Sequence, residues 1–454
     1  MAVKRSHHFW HCAVLLLVFL TGLFGCSASR PPAGAVAASP VSRAPLPPAR
    51  PAAAEAPVVY PVMLGIDVLE SQGFAALKGK RIGLLTHPAG VNRRGESTIE
   101  VLRHAPGVNL VALFGVEHGI YGQLPADQKY SDHVDPRTGL MVYSLYTGKT
   151  HKPTPVQLRD LDALVVDLQD IGTRSYTFVS AMKLAMEACF QANKEIIILD
   201  RPNPLGGLKA DGPPLDAKYV SYVGEFRVPY VHGLTIGELA LMAKQAPGVL
   251  DVPDEVRARG RLTVVPMRGW RRSMRWPDTG LKWIPTSPFI PDFSAVEGYP
   301  MTGLGCYIGG FQHGVGREYP FRGLAHKTAR LDVVEKELRA LNLPGLQFRR
   351  VSVPNRQGKP AIGLYAEITD YDEWQPTELN FYLMKLACKL EPLNPFVAAP
   401  ASVQTLFLKH MGSEAFLRAL QRDGARTDVA AFVAEWRERA KIYQLQSRRY
   451  WIYQ

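Results

Sequence analysis

Four short apolar runs, each separated from the next by a helical segment, constrain this chain more than any other feature. They are Arg81-Ile-Gly-Leu-Leu-Thr86, Asn109-Leu-Val-Ala-Leu-Phe114, Ala163-Leu-Val-Val-Asp-Leu168 and Glu195-Ile-Ile-Ile-Leu199. A strand with one face in water alternates polar and apolar residues. These runs do not alternate, so both faces of the sheet they form must be covered. Between them lie Ser97–Arg103, with Ser97 as a cap, Val156–Leu161, and Tyr176–Asn193. The last of these places Phe178, Met182, Ala185 and Cys189 on one face. Thr235–Lys244 reads as a further helix and Leu262–Pro266 as a further strand. The pattern predicts an α/β fold built on a parallel sheet with helices on both faces.

The chain beyond this pattern is longer than one core usually serves, so two domains are expected. Trp270–Gly323 is dense in Gly, Pro and aromatic residues and reads as loop. Strand signals return at Gln347–Val353 and Gly363–Ile368, and Val403–Tyr450 reads as helical with breaks at Gly412 and Gly424. The expected division is 59–270 and 271–454.

Residues 1–26 read as a lipoprotein signal peptide. Lys4 and Arg5 precede the apolar stretch Ala13–Leu20, and Leu23-Phe24-Gly25-Cys26 resembles a lipobox with Cys26 as the lipidated residue. Residues 27–58 are rich in Pro and Ala and have too little large apolar surface to repay ordering, so they read as a solvated tether. The expected address is the cell envelope, facing the periplasm and held to a membrane by the lipid, with the outer membrane favoured. The formal charge of +12 is spread along the chain and no nucleic-acid-binding motif accompanies it, so no nucleic-acid partner is expected. Cys189, Cys306 and Cys388 form no disulfide framework and no C-x-x-C pair.

The chemistry is expected where the strands end. The four runs lead into Thr86-His87-Pro88, into Glu117-His118-Gly119, into Asp167-Leu-Gln-Asp170-Ile-Gly-Thr173-Arg174, and into Asp200-Arg201-Pro-Asn203. In an open parallel sheet the carboxyl ends of the strands line the ligand crevice. Two carboxylates across such a crevice are the minimum apparatus for glycoside hydrolysis, and Glu117 and Asp170 are the candidates. His118, Asp167, Tyr176, Asp200, Arg201, Asn203 and His232 are candidate substrate contacts. Arg174 can pair bidentately with a substrate carboxylate or anchor Asp170 or Asp200. The chain has no P-loop, no G-x-S-x-G elbow and no H-E-x-x-H, and Gly303–Gly309 lacks dinucleotide-binding spacing. Neither a cofactor nor a bound metal is expected.

Seven motifs in order carry a resemblance. They are Phe114-Gly-Val-Glu117-His118-Gly119, Val134-Asp-Pro-Arg-Thr-Gly139, Tyr143-Ser-Leu-Tyr146, Asp167-Leu-Gln-Asp170-Ile-Gly, Leu199-Asp-Arg-Pro-Asn-Pro204, His232-Gly-Leu-Thr-Ile-Gly-Glu238 and Val264-Val-Pro-Met-Arg-Gly-Trp-Arg271. From about Gly65 to the C-terminus the chain resembles the exo-β-N-acetylmuramidases of glycoside hydrolase family 171. The resemblance implies a Rossmann-like N-terminal domain, a smaller C-terminal α/β domain, a cleft between them, and release of terminal N-acetylmuramic acid from peptidoglycan fragments. It makes Glu117 the catalytic acid, and Arg174 and Arg317 the candidates for the lactyl carboxylate. Where the family reads like E-G-T-N-x-S-x-G-R-G-T-x-x-P-F, this chain has Gly309-Gly-Phe-Gln-His-Gly-Val-Gly-Arg317-Glu-Tyr-Pro-Phe321, keeping Gly316-Arg317 and Pro320-Phe321.

That altered loop and the long tether suit an alternative, a non-catalytic peptidoglycan-binding lipoprotein of the same fold. A third reading, a hydrolase with a metal on His118, Asp167, Asp170 and Asp200, matches no standard ligand spacing.

Overall fold

The computed structural model describes residues 62–125, 128–148, 151–316, 318–355 and 357–454. Cys26, the tether and Arg317 lie outside these residues.

The apolar runs form the centre of a seven-stranded sheet. The strands are β1 (Arg81–Thr86), β2 (Asn109–Gly115), β3 (His133–Val134), β4 (Met141–Ser144), β5 (Ala163–Asp167), β6 (Glu195–Leu199) and β7 (Leu262–Val265). Their order is β3-β4-β2-β1-β5-β6-β7. All neighbours are parallel except β3, which pairs antiparallel with β4 at the edge. Along β5, Leu164 and Val166 enter one core and Ala163 and Val165 the other. This two-sided burial is why the strands carry no polar alternation. Thr177–Gln191 and Ile236–Gln245 cover one face, with Cys189 buried in that core. Gly65–Ser71 and Thr98–His104 cover the other. Gly65 has to be glycine, because a Cβ there would lie 2.4 Å from the backbone nitrogen of Asp200. Ser97 caps its helix as expected, accepting from the Ile99 amide, and Thr235 caps another by accepting from the Glu238 amide.

The smaller C-terminal region combines helices with short antiparallel sheets. Strands β8 (Gly314–Val315) and β9 (Tyr319–Pro320) pair with each other, while β10 (Gly323–Leu324), β11 (Leu346–Pro354) and β12 (Pro360–Ile368) form a sheet ordered β10-β12-β11. Helices Glu378–Leu390, Ala401–Met411, Glu414–Asp423 and Val429–Ser447 complete it, broken at Gly412 and Gly424 as expected. One stretch expected to be loop contains a helix, Phe293–Thr302, with Pro300 inside it. Asp292 caps it by accepting from the Ala295 amide, and Ala295, Val296 and Met301 are buried, so packing outweighs the local propensity of Gly298 and Pro300.

The chain end returns to the large sheet. The Tyr453 hydroxyl donates to Asp200 Oδ2 at 2.5 Å, the Ile452 amide to Glu238, and the Tyr443 hydroxyl to the carbonyl of His232. The described residues from 62 to 454 accordingly belong to a single compact unit.

Candidate active site

The sheet changes winding direction between β1 and β5, since the chain leaves β1 for β2 on one side and returns to β5 on the other. The carboxyl ends of strands at such a switch point are where open α/β sheets bind ligands.

Glu117 sits on the tight turn after β2. His118 and Gly119 both take positive φ, 71° and 75°. For a histidine this conformation costs of order 1–3 kcal/mol, and it persists only where its surroundings impose it. Here Nδ1 of His118 lies 2.9 Å from the carbonyl oxygen of Leu124. Only a protonated Nδ1 can make that bond, so in the neutral ring Nε2 is an acceptor. The turn leaves the Glu117 side chain half-buried, and the Thr177 hydroxyl donates to its Oε2 at 3.3 Å. Thr177 is the first residue of helix Thr177–Gln191, so the positive end of that helix dipole lies beside the carboxylate.

Asp170 follows β5 and is buried. Its Oδ2 accepts from the Gly172 amide at 2.8 Å and contacts His232 Nε2 at 3.1 Å. Nδ1 of His232 accepts from the Leu234 amide, which fixes the proton on Nε2. Oδ1 of Asp170 is buried without a hydrogen-bond partner among the described residues. His87, at the end of β1, accepts from the Gln169 amide through Nε2. Burial, with Arg201 and His118 adding, holds its imidazole well below its usual range, so it is neutral. Tyr299 lies within electrostatic reach of both Glu117 and Asp170. Burial pushes its hydroxyl up to about 12, and both carboxylates add to that electrostatically. Its hydroxyl also lies 3.3 Å from that of Ser175.

Glu117 and His118 thus follow β2 and Asp170, bonded to His232, follows β5, while Tyr176 donates its buried hydroxyl to Thr286 at 2.7 Å and other candidates turn inward. Asp167 is fully buried, paired with Arg201 at 2.5 and 2.8 Å, and accepts from the Thr98 hydroxyl at 2.5 Å. Asp200 accepts from the Arg201 and Gly237 amides and from the Thr235 and Tyr453 hydroxyls. Asn203 accepts from the Leu205 amide and donates to the Leu234 carbonyl. These four side chains tie strand ends and loops together, where substrate contact was expected.

Arg174 requires the plainest correction. Its guanidinium donates to the carbonyls of Pro213, Val228, His410 and Met411 at 2.7–3.1 Å, closing the C-terminal end of helix Ala401–Met411. Only 1 % of Arg174 is exposed, and burial pushes its pKa down to about 10, still charged at neutral pH. Its expected role as partner of a substrate carboxylate or of Asp170 or Asp200 gives way here to these backbone carbonyls. The four residues of the metal reading point to separate partners, and among the described residues no group of three or more His, Cys, Asp or Glu side chains is placed to hold a metal ion.

Thr177, Ser175 and Tyr299 were not anticipated as part of the site. Tyr299 gave no signal because it lies on the helix that reads as loop.

Comparison with known proteins agrees with this architecture. A family model described as "Exo-beta-N-acetylmuramidase NamZ, N-terminal" matches residues 82–294, and its C-terminal counterpart matches residues 297–453. The chain is 39% identical over 337 residues to "Peptidoglycan beta-N-acetylmuramidase NamZ" of Bacillus subtilis (strain 168), covering 73% of this chain and 78% of that protein. Two crystal structures of DUF1343 family proteins from Bacteroides fragilis NCTC 9343 share the fold. One has a TM-score of 0.78 at 38% identity, covering 87% of this chain and 100% of the other. The second has a TM-score of 0.65 at 26% identity, covering 87% and 99%.

Proposed function

The chain belongs to the exo-beta-N-acetylmuramidase NamZ family, and from that membership we propose that it is a glycoside hydrolase releasing terminal N-acetylmuramic acid from peptidoglycan fragments. The observation that carries this reading is the setting of two carboxylates at the switch point. Glu117 is half-buried beside Thr177, and Asp170 is oriented by Gly172 and His232, with Oδ1 without a hydrogen-bond partner among the described residues.

Breaking a glycosidic bond needs a proton on the leaving oxygen and a basic or nucleophilic group on the other side of the sugar. Glu117 is accessible enough to reach the leaving oxygen and acts as the acid. Asp170 serves the second role: its Oδ1 is an acceptor for a water or a sugar hydroxyl, while His232 holds Oδ2 in place. The half-chair-like, positively charged sugar of the transition state is stabilised by the same carboxylate. The proposal extends to the address read from the N-terminus, with a lipid on Cys26 and residues 27–58 holding this site near peptidoglycan in the envelope.

The test is turnover of a chromogenic N-acetylmuramide. Wild type releases the chromophore, and Glu117→Gln loses about 10²–10⁴-fold in kcat. Saturable binding of muropeptides by a wild type that releases no sugar would establish the non-catalytic alternative instead.

A further inference from the structure

Positive charge gathers at one edge of the large sheet. Segments 266–275 and 439–454 carry eight Lys and Arg residues and no Asp or Glu. The first segment follows β7, the edge strand, and the second spans the last turns of helix Val429–Ser447 and the residues after it. The fold joins them. The Arg272 amide donates to the carbonyl of Gln454 at 2.9 Å, and the Met267 amide to the Tyr453 hydroxyl at 2.9 Å. Trp270 meets Tyr453 edge-to-face at 5.1 Å, and the Arg272 and Arg448 guanidinium groups lie over the Trp451 ring at 3.8 and 5.4 Å.

Four of the eight cations are engaged within the protein. Arg272 is buried against Glu238, Arg275 lies near Asp278, and Arg439 and Lys441 pair with Glu435 and Glu438. Arg268, Arg271, Arg448 and Arg449 are exposed, and none of them forms an ion pair with an Asp or Glu among the described residues. Apolar side chains stand beside them. Ile442 and Leu445 are one helical turn apart, and Arg448 follows on the next turn, so the three share one side of the helix end. Leu208 adjoins them, because Gln444 Nε2 donates to its carbonyl at 2.6 Å. Ile442, Leu445 and Leu208 are each more than half exposed.

Exposed aliphatic residues among unpaired arginines suit a layer of lipid headgroups. The aliphatic side chains enter the acyl boundary, and guanidinium groups bind phosphate oxygens bidentately. A soluble acidic polymer would satisfy the arginines but leave the leucines and the isoleucine in water. The tether also arrives here. Met63 pairs with Arg268 in an antiparallel bridge, at 2.8 and 3.0 Å, so the polypeptide running from Cys26 joins the fold beside these arginines.

We infer that this patch docks the folded domain on an anionic lipid surface, through the phosphodiester headgroups of the membrane that the tether reaches. The inference rests on the envelope address proposed above and deepens it. β7 lies two strand positions from β5 and three from β1. At about 4.8 Å per strand, the crevice is therefore roughly 10–14 Å along the sheet from the patch, beside the contact and not under it.

The experiment uses residues 27–454, which contain the whole compact unit and lack the lipidated cysteine. Flotation compares vesicles of equal parts phosphatidylglycerol and phosphatidylcholine with vesicles of phosphatidylcholine alone. Wild type binds the first and not the second. Each arginine at an anionic surface contributes about fivefold, so Arg448→Gln with Arg449→Gln lowers binding about 25-fold. Lys336→Gln with Lys359→Gln removes the same charge from exposed positions elsewhere and leaves binding unchanged. Leu445→Ser weakens binding with no change of charge. Equal losses in the two double variants, or no binding to anionic vesicles, overturn the inference. A chain that ignores vesicles but sediments with peptidoglycan through Arg448 and Arg449 also overturns it, and assigns the patch to an acidic polymer. Every overturning result leaves the address reading to its own test, the mass of a lipid on Cys26 in the mature protein.

Discussion

His232 donates from Nε2 to Oδ2 of Asp170 at 3.1 Å, and it can do so only because its Nδ1 is occupied by the Leu234 amide. The pair is thus a neutral imidazole orienting a carboxylate. Asp170→Asn keeps the acceptor for the Gly172 amide and removes the charge, so kcat is expected to fall about 10²–10⁴-fold with an unaltered melting temperature. His232→Gln can still donate to Oδ2 and is expected to lose far less. Equal losses in both variants would show that the imidazole does more than orient.

Asp167 and Arg201 form a buried ion pair whose loss leaves one charge without compensation. Asp167→Ala is expected to destabilise the fold by about 3–5 kcal/mol, read by chemical denaturation. A variant that unfolds like wild type but fails to bind muropeptides would return Asp167 to the list of substrate contacts.

Arg174→Lys keeps the charge but replaces a planar fork with a single ammonium. Buried hydrogen bonds to a charged donor contribute about 1.5–3 kcal/mol each, so losing part of the four-carbonyl set should lower stability by about 3 kcal/mol. Discrimination between muramic acid and glucosamine substrates should stay at the wild-type ratio. A collapse of that ratio would mean that Arg174 does read the lactyl carboxylate.

Asp200 has its carboxyl pushed up to about 7, because burial outweighs the donors around it. Between the ordinary carboxylate range and pH 7 the folded protein therefore holds a proton that the unfolded chain has released. The stabilisation is fully present below about pH 4 and is lost as pH rises through about 7. Asp200→Asn removes this dependence, so its denaturation midpoint should change less than that of wild type across pH 4 to 7. A wild-type curve that rises through that window, or one that the variant reproduces, contradicts the assignment.

The elements that sequence alone determined are those whose information is local. β1 and β6 begin and end where the apolar runs do, because two-sided burial demands apolar residues at every position and polar ones just outside. Ser97, Thr235, Gly412 and Gly424 mark helix ends through chemistry complete within a few residues. The positions of Glu117 and Asp170 just beyond β2 and β5 were legible for a similar reason, since a parallel sheet directs its strand ends to one edge. Only the tertiary structure decided which strand-end groups face the crevice and which turn inward. Asp200 meets Tyr453 across 253 residues, Arg174 meets Met411 across 237, and Tyr299 arrives on a helix whose glycine and proline conceal it. A side chain at a strand end has the same local sequence whether it binds a ligand or a distant segment of its own chain. The choice depends on which partner the fold delivers, and that partner is specified elsewhere in the sequence.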